Sequence, residues 1–269
     1  MNESTLAPEV LEYYDRGGEV TRLTASATGR LEFLRTQDIL RRLIGPEPAS
    51  VLDVGGGTGI HSGWLAADGH AVTLIDPVAS QVAIAAKLPG VDARIGDARD
   101  LPVAEASFDV VLLMGPLYHL QTTAERVAAL AEARRAVRPG GLVAAAVIGR
   151  FAPWLDALRW DLFQREGATG LLDHVAATGE LRPRENGLRD VFTTAYTHRP
   201  EQVAEEFAAA GMAAEVYAVE GAAWLPDTLA ALLDDDSSRV RLMSGLRDFE
   251  REASLLGASS HLLGAARVA

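Results

Sequence analysis

Cysteine is absent from the 269-residue sequence. That excludes a disulfide framework, a thiolate metal site and any covalent mechanism that needs a thiolate. Long apolar runs are absent as well. No stretch approaches the ~20 residues needed to span a bilayer. The opening MNESTLAPEV has neither the basic head nor the apolar run of a secretion signal. Both absences predict a cytoplasmic chain with no membrane partner. Basic residues are in short supply, with 25 Lys and Arg against 37 Asp and Glu and a formal charge of −12. Neutralisation of phosphates by Lys and Arg drives nucleic-acid affinity, so this balance argues against a nucleic-acid partner. The basic pairs Arg41-Arg42 and Arg134-Arg135 fall in helical patterns, where solvation accounts for them. His61, His70, His174, His198 and His261 have no partners at metal-ligand spacing, so no metal is expected.

What remains is an ordinary globular composition, 48% hydrophobic and 23% charged. The middle of the chain alternates short apolar runs with helical patterns, the signature of a parallel sheet covered by helices. Strands are expected at 51–54, 71–75, 93–96, 109–114 and 142–148. Helices are expected between them at 60–67, 79–88 and 123–137. Arg138-Pro139-Gly140-Gly141 reads as a stop before the fifth strand. A helix from about 200 to 211 and strands at 214–220 and 261–268 complete the pattern. The fold class is therefore α/β, a Rossmann-like doubly wound sheet of seven strands with the last antiparallel. Three segments fall outside this core, and loops of such length usually form lids or binding surfaces. The expected organisation is a helical N-terminal lid at 1–45, a core at 46–149, and a helical cap insertion at 150–199. Residues 200–269 then complete the core, with a helical insertion at 221–260.

Glycine is concentrated where the first strand should end. Val51 to Ala66 reads VLDVGGGTGIHSGWLA, with four glycines among residues 55–59. Such density is costly inside a strand or helix, so the chain must turn tightly there with no side chains in the way. In an open α/β sheet, ligands sit beyond the carboxyl ends of the strands, where such a turn lets the backbone approach. A dinucleotide fingerprint wants G-x-G-x-x-G/A. Here Gly55, Gly57 and Gly59 are followed by Ile60 at the third fingerprint position. Asp53, two residues before the first glycine, would repel a pyrophosphate and suits a ligand with positive charge. Asp76 ends the second strand and could bind both hydroxyls of a ribose. Asp97 ends the third strand, where an acceptor could take the amino hydrogens of an adenine. Together these acids outline a ligand with a cationic amino-acid end, a ribose and an adenine.

That constellation resembles the class I S-adenosylmethionine-dependent methyltransferases. The likeness covers roughly residues 48–150 through VLDVGGGTG, LIDP, GDARDLP, FDVVLLMGPLYHL and AVRPGGLV. It implies S-adenosyl-L-methionine as cofactor, with Gly55, Gly57 and Gly59 along its methionyl and ribose portion and Asp53 supporting them. It also implies Asp76 and Pro77 at the ribose, Asp97 and Ala98 at the adenine, and Met114 and Gly115 facing the sulfonium. The outer segments EYYDRGGEVTRL, GRLEFLRT and SLLGASSHLLGAARV look like those of small bacterial methyltransferases whose substrates are mostly unassigned.

The loop after the fourth strand bears on the acceptor. It reads Met114-Gly115-Pro116-Leu117-Tyr118-His119-Leu120 and lacks the Asn/Asp-Pro-Pro-aromatic motif of enzymes that methylate exocyclic amines of bases. Tyr118 and His119 are the candidate catalytic residues, since a histidine can take a proton near neutral pH. Tyr14, with Tyr13, could close over the sulfonium if the N-terminal helix acts as a lid. Glu32 and Arg35 belong either to that lid, to the substrate site or to a solvated helix face. The expected partner is a small molecule of secondary metabolism, methylated at O, N or C by a monomer or homodimer. A lyase or cyclase cleaving the same cofactor, and a non-catalytic cofactor-binding protein, would keep the same motifs.

Overall fold

The computed structural model describes residues 10, 12, 23–188 and 192–269. Its first strands are β1 (Ser50–Val54), β2 (Ala71–Asp76), β3 (Val91–Ile95), β4 (Phe108–Leu113) and β5 (Val137–Gly149), paired in parallel in the order β3-β2-β1-β4-β5. The central strands β1 and β4 are apolar on both faces because helices cover both sides of the sheet. The helices are α1 (Ala27–Ile44), α2 (Ile60–Ala67), α3 (Ala79–Ala85), α4 (Pro116–His119) and α5 (Thr123–Ala136). A capping box closes the start of α5, where Thr122 and Glu125 exchange side-chain and backbone hydrogen bonds.

β5 is longer than its sequence pattern suggests. Pairing with β4 begins at Val137 opposite Phe108, ahead of the Pro-Gly-Gly stretch that reads as a stop. Gly140, at φ +79°, lies in that stretch, and the β4–β5 register shifts between Phe108 and Val110, so the strand continues past it. β9 (His261–Arg267) lies antiparallel to β5 over seven residue pairs and separates it from β8 (Glu215–Ala218). This gives the expected seven-stranded core with an antiparallel last strand.

The cap is not purely helical. After α6 (Ala152–Arg159) and α7 (Ala168–Thr178) it forms an antiparallel ladder of β6 (Glu180–Leu181) and β7 (Ala195–His198). β4 pairs with β5 only as far as Ala145, and β7 joins β5 at Ile148 and Gly149. β7 therefore extends the sheet just past the end of β4. Its four residues are all buried, so no alternation betrays the strand in the sequence.

Within 221–260, α9 (Leu229–Asp234), α10 (Asp236–Phe249) and α11 (Ala253–Leu256) follow α8 (Pro200–Ala209). Trp224, Leu229, Leu233 and Leu246 pack against Leu31 of α1. On its other side α1 packs Ile39 and Leu40 against Val51 and Trp64 of the core. Arg35 of α1 is fully buried, donating to Asp38 at 2.6 Å, to Glu250 at 2.5 Å and to the Val219 carbonyl at 3.0 Å. It holds the insertion to the core and lines none of the cavities described below, so the substrate-site reading of Arg35 is withdrawn. Part of the expected lid, including Tyr13 and Tyr14, lies outside the described residues. Among the described residues, no helix is long and apolar enough to cross a membrane.

One buried charge fastens the cap to the core. Arg126 of α5 is 1% exposed and donates Nε to Glu206 of α8 at 2.8 Å. Its Nη1 donates to the carbonyls of Leu120 and Gln121, and its guanidinium lies 3.8 Å from the centre of the Tyr196 ring on β7. Removing one member of such a pair strands the other charge in the interior. Glu206→Ala is therefore expected to lower unfolding free energy by about 3–5 kcal/mol, measured by urea denaturation of purified protein.

Candidate active site

Because β1 to β4 are parallel, the loops after them share one edge of the sheet, and the glycine turn leads that edge. Gly55, Gly57 and Gly59 sit at φ +67°, +57° and +86°, in the left-handed region that side-chain-bearing residues avoid. Gly55 donates its amide to the Ile75 carbonyl at 2.7 Å, binding the turn to the end of β2. At Gly57 a Cβ would project into open space, its nearest neighbour Gln81 Oε1 at 3.4 Å. That space is a cavity, and any side chain there would begin to fill it.

Asp76 shapes the turn from the neighbouring strand. Its Oδ2 accepts from Gly57 N at 2.9 Å and its Oδ1 from Val78 N at 2.8 Å. Burial raises its pKa, while the Val78 and Gly57 amides oppose that rise. Asp97 is engaged by Arg99, which donates Nε to Oδ1 at 2.9 Å and Nη2 to Oδ2 at 2.6 Å. These bonds to Arg99 hold the Asp97 carboxyl below the usual range. Arg99 also reaches Glu125 at 2.8 Å. Its part was missed in the sequence, although GDARD places it two residues from the acid.

Gly55, Gly57, Asp76, Pro77, Asp97, Ala98, Met114, Gly115, Tyr118 and His119 all line this one cavity. Asp53 and Gly59 do not. Gly59 caps the start of α2. Asp53 is completely buried beneath Gly56, accepting from Ser62 Oγ at 2.7 Å through Oδ2. Its Oδ1 has no hydrogen-bond partner among the described residues. Burial, with a smaller push from the charge of Asp76, raises its pKa to about 6.

Tyr118 and His119 sit on α4, which turns directly beneath the cap strand. Their ring centroids are 4.6 Å apart, and the His119 ring lies 6.5 Å from Phe192 in a stacked orientation. Burial pushes the His119 pKa down to about 4, against a hydrogen bond with the Thr194 backbone that favours the charged form. The imidazole is therefore neutral over the ordinary pH range.

A second cavity, of about 300 Å³, opens under the cap and was not foreseen. Its wall is largely apolar, with Ile148, Leu171, Leu188 and Phe192, and it carries Asp156 and His261. Tyr118 lines both cavities. His261, which sequence spacing left without partners, meets Glu220 at 2.7 Å and Glu32 at 3.7 Å. These three come from β9, the end of β8 and α1, and only the tertiary fold unites them. Glu32 therefore belongs with this cluster, unlike Arg35.

Comparison with known proteins agrees with this geometry. Residues 51–141 match a family described as a methyltransferase domain. A demethylmenaquinone methyltransferase of Beutenbergia cavernae is 36% identical over 115 residues, covering 41% of this chain and 45% of that protein. A ubiquinone/menaquinone biosynthesis C-methyltransferase of Rubrivivax gelatinosus is 32% identical over 103 residues, covering 37% and 40%. The chain thus spans less than half the length of these curated relatives. A solved Thermotoga maritima structure, described as a methyltransferase and possible histamine N-methyltransferase, has the same fold. It aligns over 97% of this chain and 99% of its own, with a TM-score of 0.58 and 16% identity. Residues 51–141 are thus similar to a methyltransferase domain, in line with the sequence resemblance to enzymes that use S-adenosylmethionine.

The cavity's residues fit that cofactor. Acids at the ends of β2 and β3 can accept from hydroxyl and amino groups, and the glycine backbone leaves room for a close ligand. Arg99, the arginine in its wall, is already engaged by two carboxylates, so a pyrophosphate would meet no ready guanidinium. Asp76→Ala is expected to weaken binding of S-adenosylhomocysteine by roughly 1.5–3 kcal/mol, read by calorimetry. Asp53 supplies a pH test. Its raised pKa means the folded protein gains stability from a protonated Asp53 below about pH 4 and loses it as pH rises through about 6. Asp53→Asn removes that loss, so its stability relative to wild type should rise between pH 4 and 6 by up to about 3 kcal/mol. Urea titrations of the two apo proteins at each pH would measure the difference.

Proposed function

We propose that this chain transfers the methyl group of S-adenosylmethionine to a small, largely apolar acceptor, as an enzyme of secondary metabolism. The observation that carries the reading is Tyr118, which lines the glycine-turn cavity on one side and the apolar cavity on the other. When bound, the cofactor supplies an electrophilic methyl on a good leaving group, so holding the acceptor in line can provide much of the rate. Asp76, Pro77, Asp97, Ala98 and the glycine turn would hold the cofactor. Met114 and Gly115, at the end of β4, would lie beside its reactive end. Asp53 supports the turn from beneath and makes no direct contact. Tyr14 remains a candidate cover for the sulfonium.

Tyr118 and His119 then form the partition between the two ligands. Tyr118 Oη lies 3.5 Å from the Met114 carbonyl. His119 is a neutral partition group in this reading, its base strength much reduced by burial. The curated relatives are named for quinone methylation, which supports an acceptor with a flat apolar body. The negative formal charge supports a small-molecule partner over nucleic acid.

The direct test is incubation with methyl-labelled cofactor and a panel of small aromatic acceptors, with products read by mass spectrometry. Labelled acceptor plus S-adenosylhomocysteine is expected. Methylthioadenosine would instead reveal cleavage of the cofactor, and binding without turnover would reveal a non-catalytic protein. His119→Asn is expected to lower turnover by less than the 10²–10⁴ of a lost general base, and to add or remove no ionisation between pH 5 and 8 in the rate profile.

A further inference from the structure

The acceptor cavity contains a histidine built differently from His119. His261 opens β9, and its backbone pairs with Ile148, itself a wall of that cavity. Its Nδ1 lies 2.7 Å from Oε1 of Glu220. Glu220 is 2% exposed, and its Oε2 accepts from Ser259 Oγ and from His261 N, each at 2.9 Å. Ser259 Oγ is fixed in turn by the amides of Glu220 and Gly221, each at 3.1 Å. The carboxylate therefore cannot rotate away from the ring. A carboxylate bonded to Nδ1 keeps the proton on that nitrogen and makes Nε2 the basic atom.

Among the described residues, the other charged groups that share a cavity with this ring are Glu32 of α1, Asp156 of α6 and Arg165, with Arg159 close to Asp156. Burial raises Asp156 to about 6, with the charges of His261 and Arg159 opposing the shift. Three carboxyls around one imidazole stabilise the imidazolium that forms when it takes a proton. An apolar chamber that ends in such a group suits a ligand with a proton to lose.

We propose that His261 is the general base of the acceptor cavity, that Glu220 is its positioning residue, and that the acceptor is a phenol or enol with a largely apolar body. The proposal rests on the methyl-transfer reading above. The acceptor oxygen gives its proton to Nε2 and uses the freed electron pair to bond the incoming methyl group. The pair of the broken bond stays on the sulfur of the leaving group, and the imidazolium later releases its proton to solvent. A neutral amine can attack before losing a proton, so it has less need of this device.

The experiment pairs phenols and naphthols with amines of matching size, using methyl-labelled S-adenosylmethionine and the full chain. Wild type is expected to methylate hydroxyl compounds, with kcat rising with pH as the imidazole loses its proton. His261→Gln should lower kcat by about 10²–10⁴ and flatten that rise, while leaving S-adenosylhomocysteine affinity unchanged. Glu220→Gln should also lower kcat, with nitrogen NMR showing Nδ1–H in wild type and a mixture of tautomers in the variant. Unchanged melting curves and S-adenosylhomocysteine binding establish that each variant is folded. Turnover that survives His261→Gln, methylation of amines alone, no turnover on any hydroxyl compound, or a wild-type proton on Nε2 overturns the proposal. So does stoichiometric Mn²⁺ binding by wild type that Glu32→Gln abolishes. The donor atoms of Glu32, Glu220 and His261 lie within 4.8 Å of one another, and such an ion would take the nitrogen pair for coordination. Failure of wild type to bind S-adenosylhomocysteine would overturn the cofactor reading instead, and the NMR tautomer would still decide the dyad.

Discussion

The hydrogen bond from Gly57 N to the Asp76 carboxylate fixes the geometry on which the site depends. A glycine-rich turn is entropically expensive to hold in one shape, and this contact holds it from the adjacent strand. The other Asp76 oxygen accepts from Val78, so one side chain sets both the first turn and the exit of β2. Asp53 supports the same turn from below, at the cost of burying a carboxyl. The cavity floor is thus built by backbone atoms whose positions are dictated by acids at strand ends. Nothing in the hydrogen bonding of this turn requires the cap.

The cavity under the cap has a different origin. The apolar chamber is walled by α6, α7 and the β6–β7 ladder, and the ladder is continuous with the sheet through β5. Arg126, buried against Glu206 and Tyr196, makes the cap part of the same packed unit as the helix that follows α4. Tyr118 and His119 are therefore held between the sheet and the cap, where the His119 ring stacks on Phe192.

This division explains what could be read from the sequence. The glycine turn, Asp76, Asp97, Met114 and Gly115 are local signals, since each follows a strand by a few residues and parallel pairing brings them to one edge. The strands β1, β2 and β4 announce themselves by apolar runs of ordinary length. β7 does not, because four buried residues carry no alternation, and the helical reading of the cap failed there. Asp53 was placed in direct contact because sequence gives strand position without depth, and the structure sets it one layer below. Arg35 reads as a surface charge on a helix, yet its partners Asp38 and Glu250 take it into the interior. Glu32, Glu220 and His261 are 188 and 41 residues apart along the chain, and no spacing rule could join them.

The position of β9 has a consequence for how the protein must be made. Seven residue pairs bind it to β5 and four to β8, so it fills the gap between two strands that precede it in the chain. Until residues 261–267 have been synthesised, the alanine- and valine-rich edge of β5 has no partner over most of its length. An unpaired apolar edge is a template for association with other chains. The growing polypeptide thus carries its most adhesive strand exposed through the synthesis of more than a hundred further residues, roughly 5–20 s or more at ordinary elongation rates. Folding of the sheet is consequently tied to the synthesis of β9, and a chain that stalls before it would be a substrate for chaperones rather than a folded intermediate.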